Sequence, residues 1–230
     1  LIKAQLESAL MSATPNNPNS SSIVRIIHYS NLEYILQTGI VSAPNHKNAN
    51  PNYRSIGNNE IVLKRSNKKI PTHPDCTFRD FVGFYIGKRS IMLYNIITGY
   101  GEISKVPQGE IIYLVFNITD TTVLGYDYFF TDVHALKYPL TQFYSDLEDW
   151  DKLDQTAINA SDFSADAQHQ YPDLKRKKQA EFHFHNELNF SDIAEIVVLT
   201  CEKEEEIRSL LSQYSYQTTV RIDLDYYCVR

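Results

Sequence analysis

"RKKQAEFHFH", residues 176–185, is the stretch on which the reading of the fold turns. Gln179, Glu181, His183 and His185 alternate with Ala180, Phe182 and Phe184. A period of two is the signature of a strand, with one apolar face for a core and one polar face. The polar face is unusual. It sets one carboxylate between a glutamine and two histidines, directly after the cations Lys175, Arg176, Lys177 and Lys178. A solvated strand face is the plain explanation. A carboxylate placed to hold a hydroxyl or accept a proton is the alternative.

Outward from this strand, the other segments predict a chain rich in strands with short helices between them. Strands are expected at "IVRIIHY" (23–29), "FRDFVGFYI" (78–86), "EIIYLVFNI" (110–118), "VLGYDYFF" (123–130), "IAEIVVL" (193–199) and "TTVRIDLDYY" (218–227). "EIVLKR" (60–65) reads as a short strand or turn. Helices are expected at "SNLEYILQTG" (30–39), "SIMLYNIITG" (90–99), "LTQFYSDLEDW" (140–150) and "KEEEIRSLLSQY" (203–214). In the first of these, Ser30 and Glu33 have capping-box spacing, and Gly39 and Gly99 mark two helix ends. Residues 151–178 are polar and weakly periodic, as functional loops often are. Without regular βαβ alternation, the pattern predicts an α+β fold with a central mixed sheet. "PNNPNSSS" reads as a linker, so residues 1–22 are expected to be an extension and 23–230 one domain.

Composition excludes several classes. The net charge of −6 rules out a uniformly basic surface, though not a local basic groove. Cys76, Cys201 and Cys228 are scattered, with neither disulfide pairing nor zinc spacing, which suits a reducing cytoplasm. No apolar run approaches the ~18 residues of a membrane span. The usual phosphate loops and the serine nucleophile elbow are absent. His183 and His185 share a strand face, but no third ligand at fixed spacing accompanies them, so no metal is expected.

Three basic knots stand out in an acidic chain: Lys64, Arg65, Lys68 and Lys69; Lys88 and Arg89; and Lys175 to Lys178. Each alone reads as a solvated loop tip. Together they suggest a phosphate-bearing ligand. Phe81, Phe84, Tyr85 and Tyr94 lie near the middle knot, and aromatics among cations suit single-stranded nucleic acid.

Six segments in order resemble the DarT family of DNA ADP-ribosyltransferase toxins: "VRIIHYSNLEYILQTGI", "PNYRSIGNNEIVLKR", "FRDFVGFYIGKRSIMLYNIITGY", "EIIYLVFNI", "FTDVHALKY" and "KRKKQAEFHFH". The resemblance spans roughly residues 23–200. It implies an ADP-ribosyltransferase-like fold that binds NAD as the ADP-ribose donor, without a metal. The acceptor would be a base of single-stranded DNA, thymidine first and guanosine second. It also implies a macrodomain antitoxin as partner, with a monomeric cytoplasmic enzyme and no membrane contact. Glu181 matches the family's catalytic glutamate and Arg65 its essential arginine. His28, Ser30 and Asn31, with Arg65, would hold NAD. His134 would open a substrate loop running to about residue 181. DNA would lie on Lys64, Lys88, Arg89, Ser90, Met92, Lys175, Arg176, Lys177, Lys178 and Gln179.

This chain departs from the family pattern. Gly83 stands where a proline usually precedes the aromatic pair, and Ile91 where another is common. His183 and His185 replace aliphatic residues after Glu181. Two other readings carry different expectations: an inactive module that binds nucleic acid or NAD, and a transferase of the same fold acting on RNA or protein.

Overall fold

The structure is a computed structural model that describes residues 21–101, 103–119, 123, 125–136 and 140–228. Along the chain come β1 (Ser21–His28), α1 (Leu32–Thr38), β2 (Ile40–Ser42), α2 (Asn59–Ser66), β3 (Lys69–Ile70), β4 (His73–Thr77) and β5 (Phe81–Ile86). Next are α3 (Ile91–Thr98), β6 (Ile111–Ile118), β7 (Tyr128–Thr131), β8 (Phe143–Tyr144), α4 (Gln155–Asn159), α5 (Ala165–Gln170) and α6 (Leu174–Lys177). The chain closes with β9 (Glu181–His185), β10 (Glu187–Asn189), β11 (Glu195–Val198), α7 (Cys201–Gln213) and β12 (Thr219–Ile222).

Eight strands form one sheet in the order β12-β11-β6-β1-β5-β9-β7-β8, with two-stranded ribbons β2–β10 and β3–β4 beside it. Only β11 and β12 run parallel, so the sheet is mixed and the fold is α+β. At its middle, β6 is apolar on both faces, as a strand covered on both sides must be. One face carries Ile23, Phe84, Phe116, Phe182 and Phe184, packed with Trp150 and the apolar sides of α1 and α7. The other carries Val24, Ile26, Tyr113 and Val197, covered by Leu93 and Ile96 of α3 and by Tyr226 and Tyr227. A third cluster of Ile70, Phe78, Phe81 and Phe129 extends that second face under the β3–β4 ribbon. Each fully buried Phe contributes about 1.5–3 kcal/mol.

The pairing of β1 with β5 positions the site. Eight residue pairs join β1 to β6, and five join β5 to β9. Only Ile23↔Ile86 and Val24↔Tyr85 join β1 to β5. Beyond them the sheet splits, and the Arg25 Nη1 donates across the gap to the Gly83 carbonyl at 2.7 Å.

Several expectations change. β1 begins at Ser21, two residues before the expected domain start, and residues 1–20 of the expected linker lie outside the described residues. The segment "EIVLKR" is helical: the Asn58 side chain accepts from the Ile61 amide, and Glu60 and Lys64–Arg65 sit at the helix ends that suit their charges. Ser30 caps nothing with Glu33; it lies in a 3-10 turn, and its amide donates to His28. Residues 140–150 are not one helix, because Phe143 and Tyr144 pair with β7 and Asp146 then caps a 3-10 helix, Leu147–Lys152. The stretch 151–178 contains α4, α5 and α6, with Asp154 and Ser164 capping the first two. In the segment 123–130 the strand waits until Tyr128, since Gly125 takes φ +89°; Leu124 lies outside the described residues. The last strand stops at Ile222, where the Asp223 side chain accepts from the Asp225 amide and turns the chain. Among the described residues no helix is long and apolar enough to cross a membrane.

Candidate active site

Glu181 begins β9 between Tyr85 of β5 and Thr131 of β7. Its face of the strand is polar but not wet: Glu181 is 3% exposed and His183 1%. The alternation was legible in the sequence; the plain explanation of a solvated face fails, because Phe78 and Phe129 cover it. A buried carboxylate needs partners. It has three. Arg65 Nη1 lies 3.1 Å from Oε2 and 3.5 Å from Oε1. His183 Nε2 is 2.8 Å from Oε2, and His134 Nε2 is 3.7 Å from Oε1. Burial alone would raise the Glu181 carboxyl; Arg65, His134 and His183 outweigh it and hold the group well below the usual carboxylate range. The site therefore presents a fixed anion.

Each partner is itself placed. Arg65 reaches from the last turn of α2 across the Phe78 ring, 5.5 Å from guanidinium carbon to centroid. His134 Nδ1 accepts from the Leu136 amide, so its Nε2 carries the proton that faces Glu181. His183 stacks on Phe129, with centroids 4.5 Å apart and planes 7° apart. Desolvation lowers its pKa, so it is a neutral imidazole that donates its Nε2 hydrogen to Glu181.

Gly83 explains how His183 fits. A Cβ built on Gly83 would sit 3.1 Å from His183 Cε1 and 3.2 Å from Nδ1. Gly83 and His183 thus fit one another: the missing side chain on β5 leaves room for the imidazole on β9. Gly83→Ala should destabilise the fold by about 1–3 kcal/mol by overpacking, because Phe78 and Phe129 keep the ring from moving away. Combined with His183→Val the loss should be smaller than the sum of the two single losses, which urea denaturation of the four-protein cycle will read.

His28, Ser30 and Asn31 gather where β1 ends, on the side of the split away from β5. His28 Nδ1 accepts from the Ser30 amide, and its Nε2 faces Glu110 Oε2 at 2.8 Å. That hydrogen bond lowers the Glu110 pKa, an acidic residue the sequence reading passed over. Asn31 is buried and exchanges two hydrogen bonds with the Arg54 backbone, which pins the loop between β2 and α2. Between β1, α1, β2 and that loop lies a cavity of about 190 Å³ lined by Arg25, Asn31, Tyr34, Ile35, Val41 and Tyr53. Arg25 and Tyr53 were also missed; only the folding of the loop after β2 near β1 brings them to one cavity.

The expected DNA cations are largely committed to protein partners. Lys64 pairs with Glu60, Lys88 with Asp223, Arg176 with Asp173 and Lys177 with Asp154. Ser90 is a buried helix cap for Leu93, Met92 receives the Tyr85 hydroxyl, and Gln179 donates to the Lys175 carbonyl. Arg89 adopts φ 51°, and its Nε is buried without a hydrogen-bond partner among the described residues. Lys175 remains exposed. Lys178 is the clear correction: it is 2% exposed, and its ammonium donates to the carbonyls of Ile158 and Lys88. It ties α4 to the turn after β5 and is not available to a phosphate.

Burial lowers the Lys178 pKa to about 8, against about 10.4 for a free lysine. Between these values the unfolded chain binds more protons, so stability should rise with pH. Wild type should therefore gain on Lys178→Met as pH increases from about 8 to about 10, as thermal melts across that range will test.

Comparison with known proteins matches this arrangement to one family. A family model described as "ssDNA thymidine ADP-ribosyltransferase, DarT" matches residues 24–228. The match runs past the region where the sequence resemblance ended and takes in α7 and β12. A DNA ADP-ribosyl transferase of Escherichia coli O127:H6 is 31% identical over 208 residues, 90% of this chain and 92% of that protein. The solved structure of Thermus sp. 2.9 DarT in complex with ADP-ribosylated ssDNA superposes with TM-score 0.81 at 32% identity, covering 92% of this chain and 98% of that one. The same Thermus protein in complex with NAD+ gives 0.78 at 32% identity, covering 92% and 99%.

Proposed function

Because the chain belongs to the DarT family of single-stranded-DNA thymidine ADP-ribosyltransferases, we propose that Glu181 and Arg65 are the pair that carries the transfer. The reaction moves ADP-ribose from NAD to a DNA base and releases nicotinamide. The observation that carries the residue assignment is the buried Glu181 carboxylate, held as an anion by Arg65.

NAD supplies the electrophilic ribose carbon, and the chain's residues position and stabilise it. The cavity beside β1, with Tyr34, Ile35, Val41 and Tyr53, suits the apolar faces of a nucleoside, and Asn31 and Arg25 add polar contacts. Arg65 suits the diphosphate, which a guanidinium binds through two parallel hydrogen bonds. As the glycosidic bond breaks, its electron pair goes to the nicotinamide ring and positive charge develops on the ribose. The Glu181 anion stabilises that charge and holds the ribose hydroxyl. The ring nitrogen of thymine then bonds to the same carbon, and its proton passes to Glu181 and on to water.

One magnitude shapes this assignment. With Arg65 beside it, Glu181 is a strong anion and a weak base. When the donor's phosphates draw Arg65 away, Glu181 loses its strongest lowering influence and its carboxyl pKa rises from that depressed position. Binding of the donor would thus prepare the base that the second half of the reaction needs.

The proposal extends to the setting: a monomer acting in the cytoplasm, opposed by a macrodomain antitoxin that removes the mark. The resemblance of six ordered segments supports that reading. The direct test is incubation with NAD and oligonucleotides carrying one thymidine or one guanosine, followed by mass analysis. One added ADP-ribosyl group on the thymidine strand, and none on its perfect duplex, is expected. Opening a duplex costs a few kcal/mol that a modest binding surface does not supply. Labelling of RNA or protein alone, or nicotinamide release without any labelled strand, would overturn it.

A further inference from the structure

A second concavity lies on the far side of Phe78 from Glu181, between the β3–β4 ribbon and the segment that carries His134. It measures about 480 Å³ and is lined by Lys68, Lys69, Pro71, Pro74, Phe78 and Phe143. Its floor is aromatic and prolyl, and its rim is cationic. The wall it shares with the active site is one side chain thick: Phe78 touches His183, with centroids 5.7 Å apart, and lies under Arg65. Ala135, which also lines it, follows His134 directly.

The two rim cations differ from four of those expected to hold DNA, and share their exposure with Lys175. Among the described residues, Lys64, Lys88, Arg176 and Lys177 each meet a carboxylate. Among the described residues neither Lys68 nor Lys69 has a salt bridge; both are exposed, and Lys69 donates to the Asp75 carbonyl at 3.1 Å. A cation with no carboxylate to give up adds more to phosphate binding than one that must break a pair first. In a chain of net charge −6, that makes this rim the favourable landing point beside the carboxylate.

We propose that this concavity holds the nucleotide next to the modified thymidine on the same DNA strand, with its base against Phe143 and its phosphate on Lys68 and Lys69. The proposal rests on the transfer reading above. The strand then crosses Phe78 with one nucleotide on each side, the target at Glu181 and its neighbour here. The aromatic floor accepts any base by stacking, so the subsite fixes register on the strand and adds affinity without reading a hydrogen-bond pattern.

The test uses the full chain and short single-stranded oligonucleotides with one thymidine, either intact or with an abasic residue immediately 5′ or 3′ of it. An abasic residue on one side only should raise KM for labelling by about 5- to 100-fold, the range expected for a lost stacked base. Lys68→Ala/Lys69→Ala should weaken DNA binding by fluorescence anisotropy and flatten the slope of log affinity against log salt by about 0.7, the value for one phosphate contact on a single strand. Its melting temperature and NAD affinity should match wild type. In that variant the remaining penalty of the abasic residue should shrink, because the neighbour is no longer held. Wild-type labelling that ignores both abasic positions, or a double variant with unchanged salt slope, overturns the subsite and leaves the transfer reading standing. Wild type that labels none of the thymidine strands overturns both.

Discussion

Glu181→Gln is expected to lower transfer from NAD to a thymidine oligonucleotide by at least about 10²-fold, the usual cost of removing a positioned acid–base or electrostatic group. The amide is nearly isosteric. It can still accept from His183 Nε2 and from Arg65, so the variant should fold and its circular dichroism should match wild type. What it loses is the negative charge. The variant should also be less stable at neutral pH, contrary to what a solvated strand face would give. Wild-type Glu181 titrates below its unfolded value of about 4.3. Its contribution is therefore present above that pH and fades as pH falls through the lower folded value. Urea melts at pH 7 and in acid should show the gap between the proteins closing as pH drops. A Gln variant with near-normal turnover would remove Glu181 from the mechanism.

Arg65→Ala should lose activity to a similar degree, and Arg65→Lys should recover little of it. A lysine can place one charge near Glu181 but cannot present the planar fork that grips a diphosphate. The two variants separate structure from chemistry. The alanine variant leaves a buried carboxylate without its strongest partner, which typically costs about 3–5 kcal/mol when a pair is wholly buried. Arg65 is 26% exposed, so the loss here should be smaller. The lysine variant should keep most of the stability and still turn over at least tenfold slower (~1.4 kcal/mol). Near-normal turnover for the lysine variant, measured as nicotinamide release, would mean that Arg65 only balances charge.

The strand at the centre of both predictions was legible before any coordinates, because alternation along "QAEFHFH" is a local property of the backbone. The same holds for β6, apolar from Ile111 to Phe116, and for the ends of α1 and α3. There Gly39 and Gly99 adopt φ +72° and +74°, where other residues are strained. The motif order named the family, and with it Glu181 and Arg65 as candidates. Local pattern misled at "EIVLKR", which read as a short strand or turn. The Asn58 cap and the Glu60–Lys64 spacing, both readable in the sequence, were the better signal.

Tertiary structure alone decided which charges are free and which faces are dry. Arg65 meets Glu181 across 116 residues of sequence, and Phe78 and Phe129 bury a strand face that its own residues make polar. Lys178 carries the same charge as Lys175 three residues earlier, yet one is enclosed by carbonyls and the other faces solvent. The split between β1 and β5 arises from two pairings where eight were geometrically open to β1 on its other side. Periodicity and caps act within a few residues, so a sequence displays them directly. Burial, ion pairing and the width of a cleft depend on which distant segments pack together, and the hydrophobic clusters that determine this are assembled only in the folded chain.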